Sequence, residues 1–202
     1  MLNLPLDIDS VKGFLDPSEG EMLYALASDC APRGLCVEIG SYCGKSTVYL
    51  GTACQRAGGV LVAVDHHRGS EENQPGEAYF DPDLADGDGM SSWRMFENTL
   101  QRAGLQDSVV PVVAPSALAA RVVAHNIAFV FIDGGHSMPA ALADYRLWAP
   151  RLMSGGILAI HDVFPNIADG GRPPHEIYLK ALHSGLFVER RGVKSLRVLE
   201  RL

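Results

Sequence analysis

The chain has 202 residues, of which 47% are hydrophobic and 20% are charged, as in ordinary globular proteins. We therefore expect one domain spanning residues 1–202. The formal net charge of −7 argues against a protein that binds the phosphate backbone of DNA or RNA. No apolar run reaches the ~18 residues that a membrane-spanning helix needs, which argues against a membrane protein.

The start of the chain lacks the basic segment and long apolar stretch of a secretory signal, so we expect a cytoplasmic protein. Cys30, Cys36, Cys43 and Cys54 form no C-x-x-C pair. In a chain without an export signal, we expect these cysteines to be reduced and to pack as small apolar residues.

The N-terminal segment, residues 1–32, predicts an irregular arm followed by a helix. Asp16-Pro17-Ser18 is a typical helix start, with Glu19 and Glu21 in the first turn. The apolar face of this helix ends near Ala31-Pro32.

A strand, a glycine turn and a helix follow. The apolar run 35–39 predicts a buried strand that breaks at Gly40, and a helical pattern resumes near Gly44 and continues to about Ala57. Glycines let the backbone approach a ligand closely, and the first turn of a helix directs free N–H groups at it. This stretch is therefore the candidate ligand-binding turn.

The ending Gly44-Lys45-Ser46 resembles a P-loop, but the spacing is wrong. A P-loop has four residues between its two glycines, whereas only Ser41, Tyr42 and Cys43 separate Gly40 from Gly44. The carboxylate of Glu38 would also repel phosphates. The turn is better suited to a ligand that is cationic or rich in hydroxyl groups.

The second predicted strand, residues 59–64, ends in Asp65. An acid at this place, about 20–25 residues past a glycine turn, is the ribose-binding position of dinucleotide-type folds. The pattern Glu-Ile-Gly-Ser-x-x-Gly-x-Ser-Thr followed by a strand and Asp65 resembles the first two motifs of class I S-adenosylmethionine (SAM)-dependent methyltransferases. The resemblance implies that the glycine turn lies under the methionine part of SAM and that the second acid binds the ribose. The cofactor-binding residues that it predicts here are Glu38, Gly40, Ser41, Tyr42, Gly44, Ser46 and Asp65.

Residues 66–90 are long, polar and without a clear period, which predicts a substrate-facing loop or a mobile lid. Asp86-Gly87-Asp88-Gly89 has the composition of a calcium loop but lacks the rest of the EF-hand pattern. A helix over 91–103 follows, and its Trp93, Phe96 and Leu100 have the spacing of a core-facing stripe.

The second half alternates strands and helices. We predict strands over 109–113, 127–132, 157–160, 186–189 and 195–199, and helices from 116 to about 124, 139–152 and 175–184. Gly155-Gly156 are expected to turn the chain into the fifth strand, and 163–174 is expected to be a substrate-side loop. This pattern predicts an α/β fold with a mostly parallel, seven-stranded, Rossmann-like sheet and helices on both faces. In the resembled family the tip of strand three lies near the adenine, which makes Ser116 a cofactor candidate.

Strand four ends in Asp133 and strand five in His161-Asp162. Ligands bind at the carboxyl ends of strands in such sheets, and the tips of neighbouring strands lie about 5 Å apart. If the two strands are neighbours, Asp133 and Asp162 repel each other unless a proton or a metal ion lies between them. Mg²⁺, which prefers oxygen ligands, is suited to this place.

Asp133-Gly134-Gly135-His136, with Gly155-Gly156-x4-His161-Asp162 after it, is similar to the metal-dependent small-molecule O-methyltransferases. The closest likeness is to the macrocin O-methyltransferase and cephalosporin-hydroxylase-like branch, which includes enzymes for mycobacterial methylmannose oligosaccharides. The resemblance implies metal binding by Asp133, His161 and Asp162, and proton abstraction by His136 as general base. It also places Asp133 beside the cofactor.

This chain departs from the pattern of that branch at one position, and the difference bears on which metal ion would bind. Where relatives carry two consecutive acids or Asp-Asn, this chain has His161-Asp162. Imidazole is a poorer ligand for Mg²⁺ than for Mn²⁺, Co²⁺ or Zn²⁺. The identity of the metal and direct ligation by His161 therefore stay open.

The predicted function is transfer of a methyl group from SAM to a hydroxyl of a small molecule, with a divalent cation. Polar flanking loops favour a sugar or glycoside. We expect the small-molecule substrate and a second copy of the chain, in a homodimer, as partners, and neither nucleic acid nor membrane. Two alternatives are an NAD-linked oxidoreductase, whose G-x-G-x-x-G fingerprint is absent, and a SAM- or nucleotide-binding module without catalysis, against which Asp133, His136 and Asp162 argue.

Overall fold

The computed structural model describes residues 2–77, 80–123, 126–135, 137–166 and 172–202. The predicted base, His136, lies outside the described residues, as does part of the predicted substrate-side loop, 167–171.

The first part of the chain folds as the sequence predicts. Asp16 caps the first helix and forms a capping box with Glu19, and Gly58 ends the second helix in a left-handed conformation. All four cysteines are buried and free, as expected. The elements are α1 (Pro17–Cys30), β1 (Leu35–Ile39), α2 (Lys45–Ala57) and β2 (Leu61–Asp65).

The polar segment 66–90 has more structure than the sequence predicts. Two short 3-10 turns, Glu71–Asn73 and Pro82–Leu84, lie in it, and Asp86-Gly87-Asp88-Gly89 is the tip of a small antiparallel hairpin. The elements of this middle part are β3 (Ala85–Asp86), β4 (Gly89–Met90), α3 (Trp93–Ala103), β5 (Val109–Val113) and α4 (Ser116–Ala119).

Several boundaries in the last part differ from the predicted ones. Gly155 and Gly156 do not precede the predicted fifth strand but lie inside it, because this strand begins at Leu152. The two glycines lie at an irregularity in the pairing of the strand, and Gly155 has φ +71°. The helix expected from residue 175 begins at Arg172. The elements are β6 (Ile127–Ile132), α5 (Met138–Trp148), β7 (Leu152–Ile160), α6 (Arg172–His183), β8 (Phe187–Val193) and β9 (Leu196–Arg201).

The main sheet has seven strands in the order β5-β2-β1-β6-β7-β9-β8. The first five are parallel, and β9 pairs antiparallel with both of its neighbours. This confirms the predicted Rossmann-like α/β fold. Strands β6 and β7 are neighbours with Ile132 opposite Ile160, so Asp133 and His161 directly follow a paired position.

The core consists of two layers because side chains alternate across the sheet. Phe129 and Phe131 of β6 face the layer of α1, α2 and α3, whereas Val130 and Ile132 face the layer of α4, α5 and α6. The N-terminal arm packs against the first layer through Leu2, Leu4, Leu6 and Ile8. Among the described residues, none of the helices has both the length and the apolar character required to cross a bilayer.

Gly40 packs closely against the end of β6. Its φ is +88°, and a Cβ at this position would lie 2.0 Å from the carbonyl oxygen of Asp133. Only a residue without a side chain allows this approach. The glycine turn and the tip of β6 therefore form one continuous surface.

We predict that Gly40→Ala destabilises the fold more than Gly58→Ala. Both glycines are left-handed, but no atom of the described residues lies within 4 Å of a Cβ built at Gly58. The left-handed conformation costs about 1–2 kcal/mol at either position. At Gly40 the collision with Asp133 adds about 1–3 kcal/mol of overpacking.

Urea unfolding of the two variants measures this difference. If the two variants lose the same free energy of unfolding, a methyl group at position 40 does not collide with Asp133.

Candidate active site

A cavity of about 970 Å³ opens at the carboxyl ends of the parallel strands. This volume is at the upper end of the range of small-molecule sites, about 300–1,000 Å³. The glycine turn forms its floor, and its walls come from the start of segment 66–90, the start of α4 and the tips of β6 and β7. The predicted site residues that line it are Gly40, Ser41, Tyr42, Ser46, Asp65, Ser116, Asp133, His161 and Asp162.

Asp65 organises the glycine turn. Its Oδ2 accepts hydrogen bonds from the backbone N–H of Ser41 at 2.9 Å and of Tyr42 at 2.8 Å, and its Oδ1 accepts one from His67 at 2.7 Å. A carboxylate has about four acceptor sites. These three bonds leave about one site for a ligand hydroxyl, and ribose binding by Asp65 stays a prediction.

Glu38 lies behind the turn and does not reach the cavity. Its side chain is fully buried, and its two oxygens accept hydrogen bonds from Ser46 and Thr47 in the first turn of α2, both at 2.6 Å. Burial raises the pKa of Glu38 to about 8, although the two hydroxyls lower it. The structure shows a supporting role for Glu38, which binds Ser46 at the cavity wall, and its predicted contact with the cofactor stays a prediction.

Gly44 also shapes the turn from behind. It precedes α2 with φ +94°, and its N–H donates to the carbonyl oxygen of Ser41 at 2.7 Å. A Cβ at this position would meet Thr99 at 3.1 Å. Of the predicted cofactor residues, Glu38 and Gly44 are the two that the described cavity wall does not include.

The N-terminal arm and segment 66–90 meet beside Tyr42. Lys12 pairs with Asp81 at 2.6 Å and with Asp83 at 2.7 Å, and the Tyr42 hydroxyl donates to Asp81 at 3.3 Å. The ring of Phe14, which is 76% exposed, lies 6.0 Å from that of Tyr42. Sequence reasoning missed this aromatic rim, because the arm carries no motif.

Ser116 lines the cavity at the start of α4, but its hydroxyl is shared with α5. It accepts a hydrogen bond from Trp148 at 2.8 Å and donates to Asp144. Asp144 is buried, and burial raises its pKa although the Ser116 hydroxyl lowers it. Sequence reasoning missed Asp144, which lies in the predicted helix without any pattern that marks it.

Asp133, His161 and Asp162 form a group at the cavity edge that we call the acidic cluster. His161 Nδ1 lies 3.1 Å from Asp133 Oδ1 and 3.4 Å from Asp162 Oδ2. One ligand atom from each of the three residues lies within 4.8 Å of the others. Asp162 adopts a left-handed conformation, with φ +54°, that places its side chain beside His161. The predicted neighbours thus meet in space.

The cluster needs positive charge at its centre. His161 is buried, which by itself lowers its pKa, but the charge of Asp133 and hydrogen bonds to Asp133, Asp162 and Glu19 outweigh burial and raise it. Two carboxylates this close require a cation between them. A proton on Nδ1 or a metal ion at the same place supplies that charge.

The donor set fits a divalent metal ion. Ligand atoms bound at about 2.1 Å to an octahedral ion are separated by about 3.0 Å. The separations of 3.1 and 3.4 Å around Nδ1 are close to this value. Two carboxylates and one imidazole form a mixed set that suits Mn²⁺ or Co²⁺ better than Mg²⁺.

Sequence reasoning also missed Glu19. This buried residue of α1 lies behind the cluster, and its Oε2 is 3.0 Å from His161 Nε2. Its position in the capping box predicts only a helix start. The contact joins residues 142 positions apart, so no local pattern reveals it.

Comparison with known proteins agrees with this architecture. A family model described as a methyltransferase domain matches residues 37–163. That range begins in β1 and ends just past Asp162, so it includes the glycine turn and the acidic cluster.

Solved structures share the fold at low sequence identity. Cofactor-bound Rv0187 from MTB aligns with a TM-score of 0.65 and 17% identity, over 95% of this chain and 84% of that chain. The O-methyltransferase from Bacillus cereus in complex with SAH aligns with a TM-score of 0.65 and 15% identity, over 93% and 83%. TomG from Streptomyces achromogenes, an O-methyltransferase of tomaymycin synthesis in complex with SAM, gives 0.63 and 14%, over 93% and 81%.

The buried carboxyl of Glu38 predicts a pH-dependent stability. Its pKa is about 8 in the folded chain against an ordinary value of 4.5, so the folded state binds this proton more tightly. The resulting stability is fully present below the ordinary value and is lost as the pH rises through about 8. Glu38→Gln should flatten this slope by up to about 1.4 kcal/mol per pH unit.

Denaturant unfolding between about pH 5 and pH 8 measures the slope, because this window lies between the two pKa values. Glu97→Gln, at an exposed position of α3, is the control and should keep the wild-type slope. If the free energy of unfolding of Glu38→Gln has the same slope against pH as that of wild type, the raised pKa of Glu38 is contradicted.

Proposed function

Because the chain belongs to the methyltransferase-domain family, we propose that it transfers a methyl group from SAM to a hydroxyl group of a small molecule with the help of a divalent cation. One observation carries the proposal. Asp133, His161 and Asp162 converge at the edge of a cavity whose floor is the glycine turn. A methyl donor and an acceptor hydroxyl can therefore lie side by side.

SAM is supported by the charge of the cavity and by the comparisons. The methyl group of SAM is carried on a positively charged sulfur, and the cavity wall includes the carboxylates of Asp65, Asp133 and Asp162. The Bacillus cereus and Streptomyces achromogenes proteins hold SAH and SAM respectively in the same fold. In this chain, Asp65 would accept a hydrogen bond from a ribose hydroxyl, and Ser41 and Tyr42 would lie against the methionine part.

The acidic cluster would hold the cation. A divalent cation supplies Lewis-acid polarisation, which lowers the pKa of a neighbouring hydroxyl and orients it. Asp133 belongs both to this cluster and to the surface that Gly40 contacts. In the proposed arrangement the acceptor would lie next to the donor, and such positioning contributes about 7–11 kcal/mol in well-oriented reactions.

We propose His136 as the group that removes the hydroxyl proton. It follows Asp133 by three residues in the sequence. An imidazole accepts a proton near neutral pH, and general base catalysis contributes about 10²–10⁴-fold to a rate.

The proposed acceptor is a sugar or glycoside. Polar residues of segment 66–90, namely Ser70, Glu71 and Asn73, line the cavity and supply several donors and acceptors for hydroxyl groups. A second acceptor class, a phenol, is favoured by Phe14 and Phe164, which also line it. Both classes belong in one substrate screen.

We predict that methyl transfer depends on a metal ion bound by the acidic cluster. Wild-type protein with SAM should methylate one of the saccharides, lose activity with EDTA and regain it with Mn²⁺, Co²⁺ or Mg²⁺. Asp133→Ala and Asp162→Ala should abolish the response to added metal, because each variant loses one of the two carboxylates. The measurement is methyl transfer from radiolabelled SAM across saccharides and phenols.

Three outcomes would contradict parts of this proposal. EDTA-sensitive activity in both carboxylate variants would place the metal elsewhere. Calorimetric binding of NAD and not of SAM would favour an oxidoreductase. SAM binding without transfer to any acceptor would favour a binding module.

Asp65→Ala and His136→Ala should separate donor binding from turnover. Loss of charge-assisted bonds to the ribose in Asp65→Ala should weaken SAM binding about 10–100-fold. Loss of the base in His136→Ala should reduce turnover by about 10²–10⁴-fold while SAM affinity stays at the wild-type value. Calorimetry and steady-state kinetics measure the two quantities, and full activity of His136→Ala would exclude it as the base.

A further inference from the structure

The ring nitrogen of His161 that faces away from the cavity contacts a carboxylate of a distant helix. Glu19 of α1 places Oε2 3.0 Å from His161 Nε2, and both side chains are buried, with 3% and 6% of their surface exposed. The other ring nitrogen, Nδ1, faces Asp133 and Asp162. The imidazole therefore bridges Glu19 and the acidic cluster.

Glu19 acts toward His161 as a hydrogen-bond acceptor. Its Oε1 accepts three hydrogen bonds, from the N–H of Ser195 at 2.9 Å, the Ser195 hydroxyl at 2.8 Å and the N–H of Leu196 at 3.1 Å. The N–H of Asp16 donates to Oε2 at 3.3 Å. A carboxyl that receives this many donors is held as a carboxylate, which has no hydrogen to donate. The hydrogen in the bond between Glu19 and His161 must therefore be on Nε2.

We propose that Glu19 is a positioning residue that makes Nδ1 of His161 a metal ligand. It holds the hydrogen on Nε2 and fixes the plane of the ring, so that the lone pair of Nδ1 points between Asp133 and Asp162. This inference rests on the metal site of the proposed function. It answers the question that the sequence leaves open, whether His161 binds the ion directly.

The charge of Glu19 has a second effect. A neutral imidazole brings no charge to a cation, whereas a carboxylate hydrogen-bonded to its far nitrogen makes it a stronger donor. Removal of such a partner from a metal-binding histidine typically lowers metal affinity about 10–100-fold. Glu19 and His161 together thus supply negative charge to the ion from behind the cluster.

Glu19 also connects α1 to the β8–β9 turn, so a test must separate its effect on the ring from its effect on the fold. Ser195→Ala is the matched control. It removes one of the three donors to Oε1 but keeps both backbone donors and the contact with His161. It should lower stability while leaving metal affinity unchanged.

In Glu19→Gln, the amide oxygen can accept from the Ser195 and Leu196 N–H groups while the NH₂ group faces His161 Nε2. The amide then donates to Nε2, which moves the hydrogen of the ring to Nδ1 and blocks the proposed ligand atom. Titration calorimetry with MnCl₂ alone should show a dissociation constant about 10–100-fold higher than in wild type. Circular dichroism shows whether the titrated variant is folded.

The His161→Asp background supplies the decisive comparison. An aspartate at this position has no tautomer to select, so adding Glu19→Gln there should change the Mn²⁺ dissociation constant by less than about twofold. An equal loss of affinity in both backgrounds would overturn the inference, since a general effect of Glu19 on the fold would then explain it.

A measurement on the unmutated chain keeps the inference testable if Glu19→Gln does not fold. Nitrogen-15 NMR of the histidine rings with bound Zn²⁺ should show Nδ1 coordinated and Nε2 carrying hydrogen at His161. Coordination through Nε2, or no shift at His161, would overturn it.

Metal-binding measurements distinguish a failure of the proposed metal site from a failure of the proposed role of Glu19. Wild-type protein that binds none of the divalent cations would refute the metal site and the role of Glu19 together. Wild-type binding with the same affinity in Glu19→Gln would refute only the role of Glu19.

Discussion

The parallel pairing of β1, β6 and β7 is the constraint on which the site depends. It places Gly40, Asp133 and His161 at the same edge of the sheet, one after each strand. Because Gly40 lacks a side chain, the turn closes onto the end of β6 and the cavity floor becomes continuous with the acidic cluster. The proposed donor and acceptor sites are thereby adjacent.

Three acidic side chains hold neighbouring groups in place at this edge. Glu38 holds the first turn of α2, Asp65 holds the backbone of the glycine turn, and Glu19 holds the ring of His161. Each accepts at least two hydrogen bonds, and for Glu38 and Glu19 these bonds compensate for the loss of water on burial. The side chains that face the cavity are therefore positioned in part by two buried acids, Glu38 and Glu19, that are not part of the described cavity wall.

Local patterns were sufficient for the architecture. The alternation of predicted strands and helices predicts a mostly parallel sheet, which the structure confirms. The resemblance of the motifs predicts a methyltransferase, and the match of the family model confirms that family. Boundaries failed where a local signal has two meanings. Gly155-Gly156 resemble a turn, but in the structure they accommodate an irregularity inside β7, because glycine permits both.

The sequence by itself determined the order of the elements, the place of the turn and the identity of the acids at the strand tips, since these follow from periodicity and from neighbours along the chain. Only the tertiary structure decided that β6 and β7 are adjacent, that Glu38 is buried behind the turn, and that Glu19 reaches His161. These contacts join residues that are distant in the sequence. Their partners are selected by the packing of helices on the sheet, which local residue patterns do not encode.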